Sequence, residues 1–369
     1  MLLTRSDAFD PWTPIEIETA DDPAEAVVRW SQSQLETEPT IRRTKRQDDR
    51  IVLLADLDHS NPTPAGYAWK HPTVLTADDP NWHRYRVVAP DVEAIRHDDI
   101  HGSTWLSIRA LEILRDRAHT ATTMAPLTAD ARALVTARAS MAALANRINR
   151  VMATADCPTM VARAARKEID TAITADARAG AYTAPILTDQ RILTMSRSGT
   201  VVHAVTAATP EQVIVLESRP GGEGLTVAES LRSRDLEVDV YPDAALFEAM
   251  QRVDVVLVGA DTITATGVVL NKIGTQLVAL AAQSAGVPVI VAASVDKVEM
   301  SDRQLDREPV TWSPANGHET AIPRFDLTSP DLLHAIVTEL GVHAPADIDA
   351  IVHQLKENRR WFRTSGGTA

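Results

Sequence analysis

Cysteine is almost absent from this chain. Its 369 residues include a single cysteine, Cys157, so no internal disulfide can form and a zinc site built from four cysteines is excluded. The N-terminus has no long apolar core of the kind found in secretory signal peptides. No uninterrupted apolar run reaches the roughly 18 residues that a membrane-spanning helix needs. These absences lead us to expect a cytoplasmic protein with no membrane partner.

Basic charge is also scarce. The chain has 50 acidic residues against 37 lysines and arginines, a formal net charge of -13. Direct binding of nucleic acid or of an anionic membrane needs a basic face, so neither is expected. Lysine occurs only six times, at Lys45, Lys70, Lys167, Lys272, Lys297 and Lys356. Many carboxylates with few lysines indicate a salt-adapted cytoplasm or a GC-rich genome, and composition does not separate the two.

Several common catalytic signatures are missing. No Walker A motif is present, and no GxGxxG stretch opens a helix after a strand. The sequence has no cluster with the spacing of metal ligands and no convincing Ser/His/Asp arrangement. We therefore expect no metal and no cofactor.

Residues 1–94 differ from the rest of the chain. They hold four of the seven tryptophans and many turn signals. Short strand-like runs, "RIVLLADL" (50–57) and "WHRYRVV" (82–88), lie between polar loops. We interpret this segment as a small, mostly β accessory module.

Residues 95–180 are predicted to form a helical domain. "HGSTWLSIRALEILRDRA" (101–118) places apolar residues on one helical face, and Ser103 can cap its start. A second helix is predicted over the alanine-rich stretch 127–155, and a third follows Pro158. Three helices with short connections indicate a bundle.

Residues 181–343 alternate short apolar strands with helices. The predicted strands are 191–195, 212–217, 236–240, 253–259 and 287–293. Continuous apolar strands with helical crossovers predict an α/β fold, a Rossmann-like doubly wound parallel sheet covered on both faces. Such a sheet binds ligands at the carboxyl ends of its strands. Residues 344–369 are expected to form a C-terminal helix and tail.

Four loops should meet on that edge of the sheet. Ser196 and Ser198 precede a helix and suit a phosphate, although simple N-capping is the alternative. Arg219 can bind a phosphate with two hydrogen bonds or be a surface arginine. Asp261 can be a general acid, hold a sugar hydroxyl or cap a turn. Lys272 is predicted to open a helix, where the dipole disfavours a cation, so a functional role is favoured.

One stretch follows a family pattern closely. "VGADTITATGVVLNKIGTQLVALAA" (258–282) has the form GAD-x-I-x-x-x-G…NKIGT, and "ILTMSRSGTVV" and "ESRPGGEG" extend the match. Residues 95–343 thus resemble the translation initiation factor 2B alpha/beta/delta family, which includes methylthioribose-1-phosphate and ribose-1,5-bisphosphate isomerases. The resemblance implies a helical domain before a Rossmann-like domain and a homodimer or higher oligomer. It also implies a pocket for a phosphorylated sugar or nucleotide between the domains.

The resemblance also implies roles for individual residues. The positions that would contact phosphate are Gly102, Ser103, Arg138, Ser196 and Ser198. Asn271 and Lys272 would hold the sugar, and Asp261 would be the acidic catalytic residue of the isomerase branch.

Two departures from the isomerase pattern bear on activity. Met195 occupies the position of the catalytic cysteine, and a thioether cannot take or give a proton. His101 stands where the isomerases usually have arginine. We therefore expect a non-catalytic regulatory protein of the factor 2B type, with a translation factor as a candidate partner. The alternative is a ribose-1,5-bisphosphate-type aldose–ketose isomerase with Asp261 as its acid.

Residues 1–94 lie outside the resemblance. Some archaeal relatives carry a Nudix module in this place. A degenerate Nudix-like module is therefore one interpretation, although the segment contains no Nudix box of clustered glutamates.

Overall fold

The computed structural model describes residues 89–98, 101–299, 305, 307–313, 317–359 and 361, together with short elements inside 2–70. The strands of the N-terminal segment are β1 (Leu2–Arg5), β2 (Thr13–Pro14), β3 (Thr40–Gln47), β4 (Arg50–Asp56) and β5 (Tyr67–Lys70). They pair antiparallel in the orders β2-β1-β5 and β3-β4. This agrees with a mostly β segment; the strand predicted at 82–88 lies outside the described residues.

A helical region follows. Its helices are α1 (Val92–Arg96), α2 (Ser103–Thr120), α3 (Met124–Ala137), α4 (Ala142–Ala153) and α5 (Pro158–Leu187). Fully buried leucines of α2, α3 and α4 form one core, among them Leu106, Leu134 and Leu144. The boundary predicted at residue 180 falls inside α5, which continues from the bundle to the sheet. Because this helix belongs to both parts, it marks no limit between two domains, and the predicted domain limits stay predictions.

The single helix predicted over 127–155 is wrong, because the chain breaks between α3 and α4. The hydroxyl of Thr262 donates to the Ser140 carbonyl at 2.7 Å and accepts from the Ala142 N–H at 3.1 Å. A distant side chain thus satisfies backbone groups that the helix leaves unpaired. Helix propensity alone could not show this contact.

The largest sheet among the described residues has seven strands: β6 (Arg191–Thr194), β7 (Gln212–Leu216), β8 (Val238–Tyr241), β9 (Val255–Val258), β12 (Val289–Ala292), β16 (Ala335–Thr338) and β17 (Gly341–His343). Their order in the sheet is β17-β16-β12-β9-β6-β7-β8. All neighbours pair parallel except β16 and β17. The helices that cover it are α6 (Gly199–Ala207), α7 (Glu223–Arg232), α8 (Leu246–Met250) and α9 (Thr275–Ala285). The predicted doubly wound α/β fold is confirmed.

A smaller antiparallel sheet lies beside the strand ends. It consists of β10 (Thr262–Ile263), β11 (Val269–Lys272) and β15 (Phe325–Thr328), in that order. A separate hairpin joins β13 (Pro309–Trp312) and β14 (Thr320–Pro323). Near the end of the described residues lies α10 (Asp349–Lys356), followed by a 3-10 turn at Glu357–Arg359. No described helix is long and apolar enough to cross a membrane.

Lys272 does not open a helix, contrary to the sequence prediction. It is the last residue of β11, and α9 begins at Thr275. The start of α9 is capped by the Asp326 carboxylate, which accepts from the Gly274 N–H at 2.7 Å and from the Gln276 N–H at 3.2 Å. The argument from the helix dipole therefore does not apply to Lys272, and its environment must be judged from its own contacts.

Candidate functional site

Asp261 lies just beyond β9, on the carboxyl edge of the large sheet. Its backbone N–H donates to the Leu270 carbonyl at 2.9 Å, which places it beside β11. Burial raises the pKa of the Asp261 carboxyl, and the negative charge of Glu308 raises it further. Lys297, Ser103 and Arg138 act in the opposite direction without cancelling the rise. Asp261 therefore keeps its proton to a higher pH than an ordinary aspartate does, as a general acid requires.

The start of α2 faces this carboxyl. Ser103 is buried, and its hydroxyl faces the Asp261 carboxyl. Gly102 is the N-cap, no side chain caps the helix, and a Cβ added at Gly102 would meet nothing within 4 Å. Uncapped N–H groups at the start of an 18-residue helix suit an anion such as phosphate.

Arg138 reaches the same place from the break after α3. Its side chain is 6% exposed, and Nη2 lies 2.6 Å from Glu308 Oε2. Nη1 donates to the backbone carbonyl of Asp98. The Ser140 hydroxyl also donates to Glu308. The predicted phosphate-binding cation is thus paired with a carboxylate that sequence reasoning missed, 170 residues away in the chain.

Sequence reasoning also missed Lys297. Its side chain is buried, in a short turn after β12, and its positive charge acts on Asp261. The amide of Asn146 donates to the Asp296 and Val298 carbonyls, both at 2.7 Å, and so fixes the backbone on either side of Lys297. The available signals were its rarity as one of six lysines and its place after a buried strand.

An ion pair between Arg147 on α4 and Asp296, the residue before Lys297, holds this turn against α4. Burial raises the pKa of Asp296, but Arg147 and Arg150 outweigh burial and the net pKa is lowered. Arg147 Nε lies 2.8 Å from Asp296 Oδ2, with both side chains almost fully buried. The turn that carries Lys297 is therefore tied to the helical region by an ionised pair.

Asn271 and Lys272 end β11 and are both buried. Lys272 Nζ lies 2.6 Å from Glu223 Oε1, at the start of α7. Asn271 Nδ2 donates to the Thr275 hydroxyl at 3.0 Å. The predicted sugar-holding pair is therefore held between two helix starts, and Glu223 is a further residue that sequence reasoning missed. It was visible in "ESRPGGEG", but nothing in that pattern links it to a lysine 49 positions on.

The loop after β6 approaches the same strand end. Met195 Sδ lies 3.7 Å from the Thr275 hydroxyl, and a Cβ on Gly274 would come within 3.3 Å of Met195 Cε. Ser196 has a left-handed φ of 60° and donates its N–H to the Ser218 hydroxyl at 2.6 Å. Ser198 caps α6 by accepting from the Val201 N–H at 3.4 Å. The capping alternative thus describes Ser198 here, and phosphate contact by either serine stays a prediction.

Arg219 lies apart from Asp261. Its Nε is 3.0 Å from Glu217 Oε2, and half of its side chain is exposed. It lines a mostly apolar cavity of about 220 Å³ with Met195, Gly274 and Trp312. The residues that line this cavity do not include Asp261, Asn271 or Lys272. Its phosphate-binding role stays a prediction.

His101 stacks on Trp105 with ring centroids 3.7 Å apart, and its Nδ1 lies 2.7 Å from Asp98 Oδ2. It is therefore held in place at the position where isomerases usually have arginine.

Within the described part of the chain, no group of three or more His, Cys, Asp and Glu side chains could hold a metal ion.

The parallel sheet and the polar cluster at its carboxyl edge are typical of doubly wound α/β proteins that bind ligands at this edge. The initiation factor 2 subunit family matches residues 99–345, about two thirds of the chain, and the chain belongs to that family. The suspected family is thus confirmed.

Individual relatives carry more specific names. The chain is 30% identical over 310 residues to a ribose 1,5-bisphosphate isomerase of Haloterrigena turkmenica, covering 73% of this chain and 94% of the relative. It is 39% identical over 146 residues to the enzyme of that name from Archaeoglobus fulgidus, covering 36% of this chain but only 46% of the relative. Among solved structures, a Pyrococcus horikoshii translation initiation factor eIF-2B is similar, with TM-score 0.65 and 26% identity, covering 69% of this chain and 95% of that one.

These relatives overturn the expectation of a non-catalytic regulator. Six of the similar curated proteins, from six archaeal species, are named ribose 1,5-bisphosphate isomerase. The regulatory interpretation gave two positions, Met195 and His101, more weight than the whole matched length. The isomerase alternative fits the relatives better.

Proposed function

We propose that this protein is an isomerase that converts an aldose phosphate into a ketose phosphate, with ribose 1,5-bisphosphate as the first substrate to test. The observation that carries the proposal is the Asp261 carboxyl, whose pKa burial raises, beside the buried cations Arg138 and Lys297. A proton donor next to anion-binding groups is the arrangement that a phosphorylated sugar needs.

The reaction moves hydrogen from C2 to C1 of the sugar and leaves a carbonyl at C2. It needs one group that gives a proton to oxygen and one that carries the carbon-bound proton. Asp261 takes the first role. Arg138, Lys297 and the uncapped start of α2 bind phosphate, while Asn271 and Lys272 contact the sugar hydroxyls. The substrate thus lies between the helical region and the sheet.

The test is conversion of ribose 1,5-bisphosphate by the purified full chain, followed by the ¹H and ³¹P NMR signals of substrate and ketose product. We expect turnover of about 1 s⁻¹ or more, ordinary for enzymes. Asp261→Asn should lower kcat by about 10²–10⁴-fold, the usual contribution of a general acid. Asp170→Asn, an exposed position on α5, is the matched control. No conversion by the wild-type chain contradicts the proposal.

We further propose that the chain forms a homodimer. Leu277 and Leu280, three residues apart on α9, are 60% and 47% exposed, and Phe247 on α8 is 63% exposed. Clustered exposed apolar side chains are a common site of association. Light scattering should report a dimer for the wild type and a monomer for Leu277→Asp. Leu340→Asp, at an equally exposed leucine on the β16–β17 turn, is the control. A wild type that stays monomeric at every concentration rules the dimer out.

A further inference from the structure

We propose that Glu223 is the general base of this isomerase and carries the proton between C2 and C1 of the sugar. The inference rests on the proposed function. It addresses the one requirement that Met195 leaves unmet, because a thioether does not exchange protons.

The geometry places the Glu223 carboxylate at the sugar-holding end of the site. Oε1 lies 2.6 Å from Lys272 Nζ, and Oε2 is buried with no hydrogen-bond partner among the described residues. The ion pair fixes one oxygen and leaves the other available to a ligand. A buried carboxylate oxygen without a hydrogen-bond donor is costly. A ligand group that donates a hydrogen bond to Oε2 would therefore stabilise the complex.

Glu223 is linked to Met195 through side chains of β11 and α9, although it does not line the cavity that contains Met195. A chain of contacts joins them, from Met195 Sδ to the Thr275 hydroxyl at 3.7 Å and from Thr275 to Asn271 Nδ2 at 3.0 Å. Asn271 precedes Lys272, which pairs with Glu223. The base is therefore supplied by the start of α7, after β7, instead of by the loop after β6, and both connections begin at the same edge of the sheet.

The other carboxylates near this strand end are occupied. Asp326 accepts from the Gly274 and Gln276 N–H groups at the start of α9. Glu308 accepts from Arg138 and Ser140, next to Asp261. Asp261 serves as the acid, and its N–H bond to Leu270 sets it beside β11. Glu223 is the carboxylate that pairs with Lys272.

The proton transfers balance with two carboxyls. Asp261 gives its proton to the ring oxygen O4 as the C1–O4 bond breaks, and the bonding pair stays on O4. A lone pair of the phosphate-bearing oxygen stabilises the positive charge at C1. Glu223 then takes the C2 proton, and the C2–H pair becomes a C1=C2 double bond, which gives an enol phosphate.

The second half of the reaction restores both groups. The C2 hydroxyl gives its proton to the Asp261 carboxylate, and its O–H pair forms the C2 carbonyl. The C1=C2 pair takes the proton held by Glu223 and forms the second C–H bond at C1. Asp261 ends protonated and Glu223 ionised, as they began, and no oxidant or reductant is consumed.

The experiment compares the wild type with Glu223→Gln, Glu223→Asp and the control Glu229→Gln, an exposed position on the same helix. Conversion of ribose 1,5-bisphosphate and of the same sugar with deuterium at C2 is measured, together with ligand binding by thermal shift. Glu223→Gln should lower kcat by about 10²–10⁴-fold and leave binding within about threefold. Glu223→Asp should regain part of kcat, because it keeps the carboxylate. In the wild type, deuterium at C2 should slow turnover.

Each result decides a separate claim. A wild type without turnover contradicts the proposed function. An active wild type with Glu223→Gln within threefold of it shows that the isomerase is real and that the base is another group. Loss of binding together with turnover in Glu223→Gln would mean that Glu223 serves only to hold Lys272, which overturns the assignment. The same holds if Glu223→Asp is no more active than Glu223→Gln.

Discussion

Glu308→Gln should make the ligand-free protein less stable and its binding of sugar phosphates tighter. Glu308 Oε2 lies 2.6 Å from Arg138 Nη2. The Arg138 side chain is 6% exposed and the Glu308 side chain is 17% exposed. Any phosphate that reaches Arg138 must replace this carboxylate. The glutamine keeps the shape but removes the competing charge, while Arg138 and the nearby Arg324 keep theirs.

The size of the effect follows from the bonds exchanged. A hydrogen bond to a charged group contributes roughly 1.5–3 kcal/mol, and Glu308 is partly exposed, so the lower end applies. About 1.4 kcal/mol corresponds to tenfold in affinity. We therefore expect ribose 1,5-bisphosphate to bind about tenfold more tightly to Glu308→Gln.

The same substitution should change the pH profile of turnover. The negative charge of Glu308 is one of the causes that raise the pKa of Asp261, after burial. The proton on Asp261, and the activity that needs it, is lost as pH rises through that pKa. Removing the charge lowers the pKa, so the loss should begin at a lower pH in Glu308→Gln than in the wild type.

The assay is a ligand titration followed by thermal shift, with kcat measured across pH for the same proteins. Glu248→Gln, which breaks the exposed pair with Arg252, is the control and should change neither quantity. Weaker binding by Glu308→Gln would show that Glu308 holds Arg138 in its binding position instead of competing for it. An unchanged pH profile would show that the charge of Glu308 does not reach Asp261.

Three further substitutions test the surrounding structure. Lys272→Ala should weaken binding of ribose 1,5-bisphosphate about ten- to a hundredfold. Thermal shift measures the affinity, with the exposed Lys167→Ala as the control. An affinity of Lys272→Ala equal to that of the wild type would refute the sugar-holding role. Thr262→Val should lower the free energy of unfolding by roughly 1–3 kcal/mol, because the Ser140 carbonyl and the Ala142 N–H lose their partner. Denaturant unfolding measures this change. An unchanged free energy of unfolding would mean that water replaces the hydroxyl. Asp326→Ala should cost about 1 kcal/mol through the lost cap of α9, also by denaturant unfolding, and an unchanged midpoint would contradict the capping role.

The sheet could be predicted from sequence because its signal is local. A run such as "VVLV" (255–258), which forms β9, is apolar at consecutive positions because both faces of the strand are buried. The loops that follow such strands must share one edge, so the position of Asp261 at that edge follows from topology. The break at Ser140 had no such signal, because the hydroxyl that stabilises it belongs to Thr262.

The partners of the candidate site could not be predicted for the same reason. Arg138 and Lys272 were named from the sequence as candidate ligand-binding cations, but the carboxylates that pair with them come from distant parts of the chain. Charge pairing across 170 and 49 positions leaves no periodicity in the chain. Lys297 was counted as a rare residue and not assigned, since only the fold brings it to Asp261.

Met195 misled the functional interpretation because one position was taken to stand for one chemical role. The strand-end edge of a doubly wound sheet receives several loops, and any of them can deliver a proton-carrying group to the same sugar carbon. A lost thiol after β6 therefore removes activity only if no other loop compensates. In this chain the loop after β7 brings a carboxylate to Lys272, where a neutral or apolar side chain would leave the lysine unpaired. The loss of a thiol after β6 and the proposed gain of a base after β7 therefore have to be considered together.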